Sequence, residues 1–302
     1  MLDFEQNPLV ETDWLASHLN DPDLRIVDAR WRGDGTSSRE LYKAGHIPEA
    51  IHLDWELDLS YVDQKGLRYM LLPPQRFEEV MSAAGIGNDS RVVAYADYDY
   101  SGATRLWWAL RYYGHRQVTV LNGGWNKWVC EKRPVTKAIP QPSPASFSCI
   151  PRANWLATHQ EIIEALQKQD TGVRLVDTRP PEQFAGKAVW TPPGSHYLPP
   201  DAESVDIGAR VPMRAGHIPS AINLTSSYNL NLEDWTYLPA DVIRVRAEAA
   251  GLKPDQRVIT YCGVGISASL GLFSLHLAGY KDLALYDASW EEWGTELHLP
   301  VE

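Results

Sequence analysis

The chain has 302 residues, 44% of them hydrophobic and 22% charged, with a formal net charge of −11. That length exceeds the usual size of one hydrophobic core and predicts two domains, and the acidity argues against nucleic acid as a partner, which would need a basic surface. The opening MLDFEQNPLV has neither a basic start nor an apolar run, and no stretch reaches the ~18 apolar residues of a membrane span, so a cytoplasmic protein with no membrane partner is expected.

In chain order, the β-branched run RIVDA at 25–29 reads as the first strand, followed by AGHIPEAIHL at 44–53 and a helical pattern near 75–84. RVVAY at 91–95 and VTVL at 118–121 read as strands on either side of a helix near 104–113. The segment 134–151, PVTKAIPQPSPASFSCIP, is rich in proline and serine and reads as a linker. RLVDT at 174–178, RVITY at 257–261 and LALY at 283–286 are the next strands, with helices near 241–250 and 267–278. Strands alternating with helices in this way predict parallel βαβ units and an open α/β sheet.

The second half repeats the first. LRIVDAR at 24–30 returns as VRLVDTR at 173–179, AGHIPEAIHL at 44–53 as AGHIPSAINL at 215–224, RVVAY as RVITY, and GGWNKW at 123–128 as ASWEEW at 289–294. The repeat is far longer than a solenoid unit, so each copy is a domain. The expected division is 1–133, a linker over 134–151, and 152–302.

One of the three cysteines, Cys262, directly follows the strand RVITY and precedes a helix, within TYCGVGISAS. In an open parallel sheet, ligands sit beyond the carboxyl ends of the strands. A helix start leaves N–H groups unpaired and carries partial positive charge, and both favour a thiolate. Gly263 and Gly265 let the backbone curl closely, and Ser267 can cap the helix or turn its hydroxyl into the loop. Free thiols are most often buried core groups. That reading suits Cys130 and Cys149, which lack this setting. In the first copy Ala96 stands opposite Cys262, and the loop beyond it, DYDYSG, carries two aspartates that would repel an anion. Only the second copy is therefore a candidate for thiolate chemistry.

These blocks, two copies of VDxR, GHIP and the Trp-x-x-Trp element with one cysteine in the second, resemble the two-domain rhodanese-type sulfurtransferases over about 10–295. The loop is more similar to that of 3-mercaptopyruvate sulfurtransferases, since thiosulfate rhodaneses place basic residues just after the cysteine. The resemblance implies two tandem rhodanese-like domains, each a parallel sheet flanked by helices, the first catalytically silent. It implies that Cys262 takes a sulfur from 3-mercaptopyruvate, or alternatively thiosulfate, and passes it from a persulfide to a thiol or cyanide; a thioredoxin-like protein is one such thiol. The loop residues Gly263, Val264, Gly265, Ile266 and Ser267 would bind the donor through their amides. Phosphatases of the same fold need an arginine six positions after the cysteine, where Ala268 stands, so that activity is not expected. A sulfur-carrying or sensing module without turnover is the alternative of another class.

A small anionic donor needs a positive anchor, and the family's usual arginine position holds Gln183. Arg179, Arg210 and Arg214 are the remaining candidates, with Arg179 marked as structural by its twin Arg30. His46 is the candidate proton shuttle, although its twin His217 favours a structural tether for the Gly-His-Ile-Pro turn in both copies. The serine of the family's proton relay is replaced by Val264. The insert between VDTR and AGHIP has five prolines within FAGKAVWTPPGSHYLPPDAESVDIGARVPM and is expected to be an irregular loop near the cleft, with Trp190, His196 or Tyr197 as walls. The Trp-x-x-Trp pairs read as packing. No cluster has metal-ligand spacing and no cofactor is expected.

Overall fold

The computed structural model describes residues 2–98, 100–169, 172–191, 194–199, 202–206 and 211–302. The chain opens with β1 (Leu9–Val10), α1 (Thr12–Ser17), β2 (Leu24–Asp28), α2 (Ser38–Ala44) and β3 (Ala50–His52). Two short strands follow, β4 (Ser60–Tyr61) and β5 (Met70–Leu71), then α3 (Pro74–Ala83), β6 (Arg91–Tyr95), α4 (Ser101–Tyr112), β7 (Val118–Leu121) and α5 (Gly124–Cys130). The first sheet has the order β1-β7-β6-β2-β3, with all pairs parallel. Every residue of β6 and β7 is buried, as expected for strands covered on both faces.

The second half begins with β8 (Leu156–Ala157), α6 (His159–Lys168), β9 (Val173–Asp177) and α7 (Pro181–Phe184). Thr158 caps α6 by accepting from the Glu161 amide. Four strands lie in the insert and after it: β10 (Ala188–Thr191), β11 (Gly194–Tyr197), β12 (Ser204–Val205) and β13 (Met213–Arg214). Then come β14 (Ile222–Asn223), α8 (Ala240–Ala249), β15 (Arg257–Tyr261), α9 (Ile266–Leu277), β16 (Leu283–Tyr286) and α10 (Ser289–Thr295). The second five-stranded sheet, β14-β9-β15-β16-β8, is again all parallel and repeats the first strand for strand. The expected fold class, two tandem α/β domains with helix-flanked parallel sheets, is the one observed.

The insert departs from the expected irregular loop. β10 and β11 pair antiparallel, and β12 pairs with β13. The alternating, β-branched and aromatic residues Ala-Val-Trp-Thr sustain a strand, and Pro192 and Pro193 fall between the two strands in the sequence, outside the described residues. The period of two sends Val189 into the core of this half and Trp190 to the other face.

The compact units do not follow the sequence halves strictly. Unit 1 gathers Met1–Ser60, Leu71–Arg152 and Leu230–Leu238, while unit 2 gathers Tyr61–Met70, Ala153–Asn229 and Pro239–Glu302. Segment 134–151, read from composition as a linker, has no helix and counts with unit 1, tied by a Thr136 bridge to His46.

Both sheets carry the same buried ion pair at the ends of their central strands. Arg30 Nε meets both Asp28 oxygens at 2.9 and 3.0 Å, one Nη2 hydrogen meets Oδ2 at 2.6 Å, and Nη2 also donates to the Gly45 carbonyl at 2.7 Å. Tyr95 donates its hydroxyl to Asp28 at 2.7 Å. Removing one partner of such a pair leaves an uncompensated buried charge. Asp28→Asn should therefore lower the unfolding free energy by about 3–5 kcal/mol. The midpoint of urea denaturation reads this, and a shift under about 1 kcal/mol would show that Arg30 finds another partner.

Candidate active site

Cys262 directly follows β15 and is buried at 2% exposure. Its amide donates to the Ser289 hydroxyl at 3.1 Å, and that hydroxyl in turn donates to the Tyr286 carbonyl at 2.8 Å. The carbonyls of Cys262 and Gly263 accept from the Trp290 and Glu291 amides, at 3.0 and 2.9 Å. These are first-turn amides of α10, which have no partner within their own helix. A trans peptide points its C=O and N–H in opposite directions. With the carbonyls of 262 and 263 held toward α10, the N–H groups of Gly263 and Val264 point away from it.

Gly265 caps α9 with φ +80°, and a Cβ there would lie 2.3 Å from the Asp287 carbonyl oxygen. Both conformation and space require glycine at this position. Gly263 has no left-handed backbone, and a Cβ there would stand 3.5 Å from the Trp190 Cβ, an ordinary van der Waals contact, so Trp190 packs beside this position without requiring glycine. Val264 and Ile266 are buried. Ser267 sits half-buried within α9, and the cap is Gly265 rather than its hydroxyl, contrary to expectation.

Arg179 lies close beneath this loop but is fully engaged. Its Nε meets both Asp177 oxygens at 3.0 Å, Nη2 meets Oδ2 at 2.5 Å, and Nη2 donates to the Gly216 carbonyl at 2.8 Å. Its guanidinium stacks over Trp290 at 4.6 Å. Burial works against the Arg179 charge, yet Asp177 outweighs it and raises the pKa above the ordinary value, with Tyr261 and Cys262 adding to the same field. Tyr261, buried beside Asp177, has its phenol pushed well above its usual range.

Arg214 does not serve as a donor anchor in this arrangement. Its guanidinium donates to four carbonyls, of Gly294, Leu299, Trp293 and Glu296, at 3.1, 2.7, 2.7 and 2.8 Å. It closes the C-terminal end of α10, where unpaired carbonyls attract a cation. Arg210 lies outside the described residues. Gln183 is buried and donates to the Ser195 hydroxyl of β11 at 2.7 Å.

The proton-shuttle reading of His46 is likewise replaced. Both ring nitrogens face main-chain carbonyls, Tyr42 at 2.8 Å and Ala138 at 3.0 Å, and the ring stacks on Tyr42 at 3.9 Å. No ring nitrogen is left to relay a proton. His217 repeats the device: Nδ1 meets the Phe184 carbonyl at 2.9 Å and the ring stacks on Phe184 at 3.7 Å. In the first copy, Ala96 keeps the Cys262 contact, its carbonyl accepting from Trp125 at 2.9 Å. Asp97 beside it pairs with Arg32 at 2.7 Å, so it is neutralised rather than bare, and Asp99 lies outside the described residues. Burial pushes the Cys149 thiol up to about 12, which leaves it inert, and Cys130 is exposed.

Of the expected walls, Trp190 lies on the loop, while Tyr197 is 72% exposed. Sequence reasoning missed Ser289 and Glu291, because the Trp-x-x-Trp block was read as packing alone. It also missed Arg68 and Tyr69. Arg68 gives Glu291 two hydrogen bonds, from N at 3.0 Å and Nε at 2.5 Å, and Lys65 meets Glu292 at 3.1 Å. Burial raises the Glu291 pKa in spite of Arg68, whereas Glu292, although burial works the other way, is held below the usual range by the Tyr286 hydroxyl and Lys65. A visible signal for the segment existed: Tyr69 and Trp235 each precede a proline by four residues at matching places in the two halves.

Among the described residues no helix is long and apolar enough to cross a membrane, and no group of three or more His, Cys, Asp or Glu side chains is placed to hold a metal ion. The rhodanese-like domain matches residues 11–131 and 158–296. The chain is 32% identical over 303 residues to the thiosulfate sulfurtransferase of Corynebacterium glutamicum, covering 97% of this chain and 90% of that protein. It is 31% identical over 296 residues to the sulfur carrier protein TtuD of Thermus thermophilus, covering 97% and 95%. In structure it is similar to SseA of Escherichia coli, with a TM-score of 0.78 and 24% identity over 94% of this chain and 98% of that one. Two matched domains, and full-length identity above 30% to named relatives, place this chain in the rhodanese-like family of sulfurtransferases.

Proposed function

We propose that the chain moves a sulfane sulfur from 3-mercaptopyruvate to a thiol or cyanide through a persulfide on Cys262. One observation carries this reading: the only cysteine at a strand-to-helix turn among the described residues has its loop carbonyls drawn toward α10, which turns the loop amides the other way. Amides converging near a sulfur stabilise its anion, as thiolate before the reaction and as persulfide after it. In the first half-reaction the thiolate attacks the donor sulfur and an S–S bond forms. The C–S bond breaks, and its electron pair leaves with the enolate of pyruvate, which takes up a proton. In the second, an acceptor thiolate or cyanide attacks the outer sulfur, the S–S bond breaks, and the Cys262 thiolate returns. This is covalent catalysis of the ping-pong type.

An apolar loop, with Val264 and Ile266 buried and Trp190 over Gly263, supports an organic donor. Thiosulfate is the second reading, favoured by the activity named for the Corynebacterium relative. The sulfur carrier of Thermus favours a protein thiol as acceptor, of which a thioredoxin-like protein is one class.

Steady-state transfer to cyanide, measured with each donor, tests the assignment. Cys262→Ser is expected to abolish turnover and to lose the mass increase of one sulfur that the donor-treated protein acquires. Retained turnover in that variant would sink the nucleophile, and a stable sulfur adduct without turnover in the wild type would favour the carrier. Higher efficiency on thiosulfate would reverse the choice of donor. Gly265→Ala should lower kcat/KM by about 10²-fold, because the loop must shift away from Asp287 and misplace the sulfur. Unchanged kcat/KM in that variant would show that the turn geometry is not used in the reaction.

A further inference from the structure

Tyr69 and Trp235 are bulky residues held in the left-handed region, with φ of 59° and 62°. Such conformations persist only where the surroundings over-determine them, and they gather at functional sites. Each aromatic belongs to the unit that contains the other half's sheet: Trp235 counts with unit 1 and Tyr69 with unit 2. In unit 1, Trp235 meets Tyr98 edge-on at 5.2 Å, and Tyr98 lies in the loop that carries Ala96. In unit 2, Tyr69 meets Trp190 edge-on at 6.3 Å, and Trp190 lies on Gly263 of the Cys262 loop. The duplication thus puts a strained aromatic against the Tyr98 ring of the first loop and, in the second copy, against Trp190 beside the loop that has the thiol.

The contacts in unit 2 form a closed ring. Trp190 lies 3.5 Å from where a Gly263 Cβ would stand and meets Tyr69, Arg68 next to Tyr69 bonds Glu291 twice, and the Glu291 amide returns to the Gly263 carbonyl at 2.9 Å. The Arg68 guanidinium also lies 5.7 Å from the Tyr69 ring. The two bonds to Glu291 fix the backbone at Arg68, and this over-determines the conformation of the next residue.

We propose that Tyr69, held against Trp190, is a donor-selecting wall of the Cys262 site that recognises the organic part of the sulfur donor, with Arg68 and Glu291 as its positioning residues. This rests on the sulfur-transfer function proposed above. A planar α-keto acid group offers a face to aromatic rings, whereas tetrahedral thiosulfate has no carbon part to contact them. The wall therefore raises efficiency on 3-mercaptopyruvate and leaves thiosulfate nearly untouched.

The experiment compares kcat/KM for the two donors in wild type, Tyr69→Phe and Tyr69→Gly. Glycine suits the left-handed backbone, so Tyr69→Gly removes the ring while relieving strain, and its unfolding midpoint should be no lower than that of wild type. The ratio of 3-mercaptopyruvate to thiosulfate efficiency should fall about fivefold in Tyr69→Gly, through KM rather than kcat, and persist in Tyr69→Phe. An unchanged ratio in Tyr69→Gly, or an equal loss with both donors, would overturn the wall while leaving the nucleophile standing. Full activity in Cys262→Ser would instead remove the function and the wall together.

Discussion

The buried pair of Asp177 and Arg179 fixes what lies above it. Asp177 ends β9 in register with Tyr261, the last residue of β15, so the carboxylate sits beside the residue that precedes the thiol. Arg179 joins that carboxylate to the Gly216 carbonyl, and the Tyr261 hydroxyl accepts from the Ile218 amide, which ties the Gly-His-Ile-Pro turn to both central strands. The guanidinium also stacks over Trp290, at the start of α10. Since the amides of Trp290 and Glu291 hold the carbonyls of the Cys262 loop, the loop takes its orientation from the ion pair one layer below. A buried pair of this kind is costly to desolvate, and what it contributes here is geometry rather than stability.

The first copy shows that this layer works without a thiol. Arg30 pairs with Asp28, reaches the Gly45 carbonyl and stacks over Trp125 at 4.2 Å, and the Trp125 amide holds the carbonyl of Ala96. Above that layer the copies part. The first loop is one residue longer and enters α4 through Tyr100 in the left-handed region, where the second uses Gly265. At the start of the Trp-x-x-Trp helix, Gly124 is replaced by Ser289, whose hydroxyl accepts from Cys262. The second copy therefore has a side-chain contact to the thiol-bearing residue that glycine cannot make.

Features carried by repeated residues were legible in the sequence. The sheets, the domain count, the structural arginine and the histidine tethers all appear twice, and one copy serves as a control for the other. Features that depend on tertiary partners were not. Nothing near Arg214 in the chain predicts that it would close α10 some eighty residues later, since its acceptors at 293–299 meet it only in the fold. The insert misled through its prolines, which fall largely outside its strands; alternation in Ala188–Thr191 was the better guide. The segments 61–70 and 230–238 escaped notice because each packs with the unit of the opposite half.

The fate of the arginines bears on how an anion is held by a chain of net charge −11. Arg179 is neutralised by Asp177, Arg68 by Glu291, and Arg214 by carbonyl dipoles. Each of these cations orients protein groups instead of standing open to a ligand. On the function proposed above, stabilisation of negative charge at Cys262 would fall to oriented amides, which carry only partial charge but require no reorganisation when the sulfur becomes anionic. Their orientation is what the α10 amides, Ser289 and the obligatory Gly265 control.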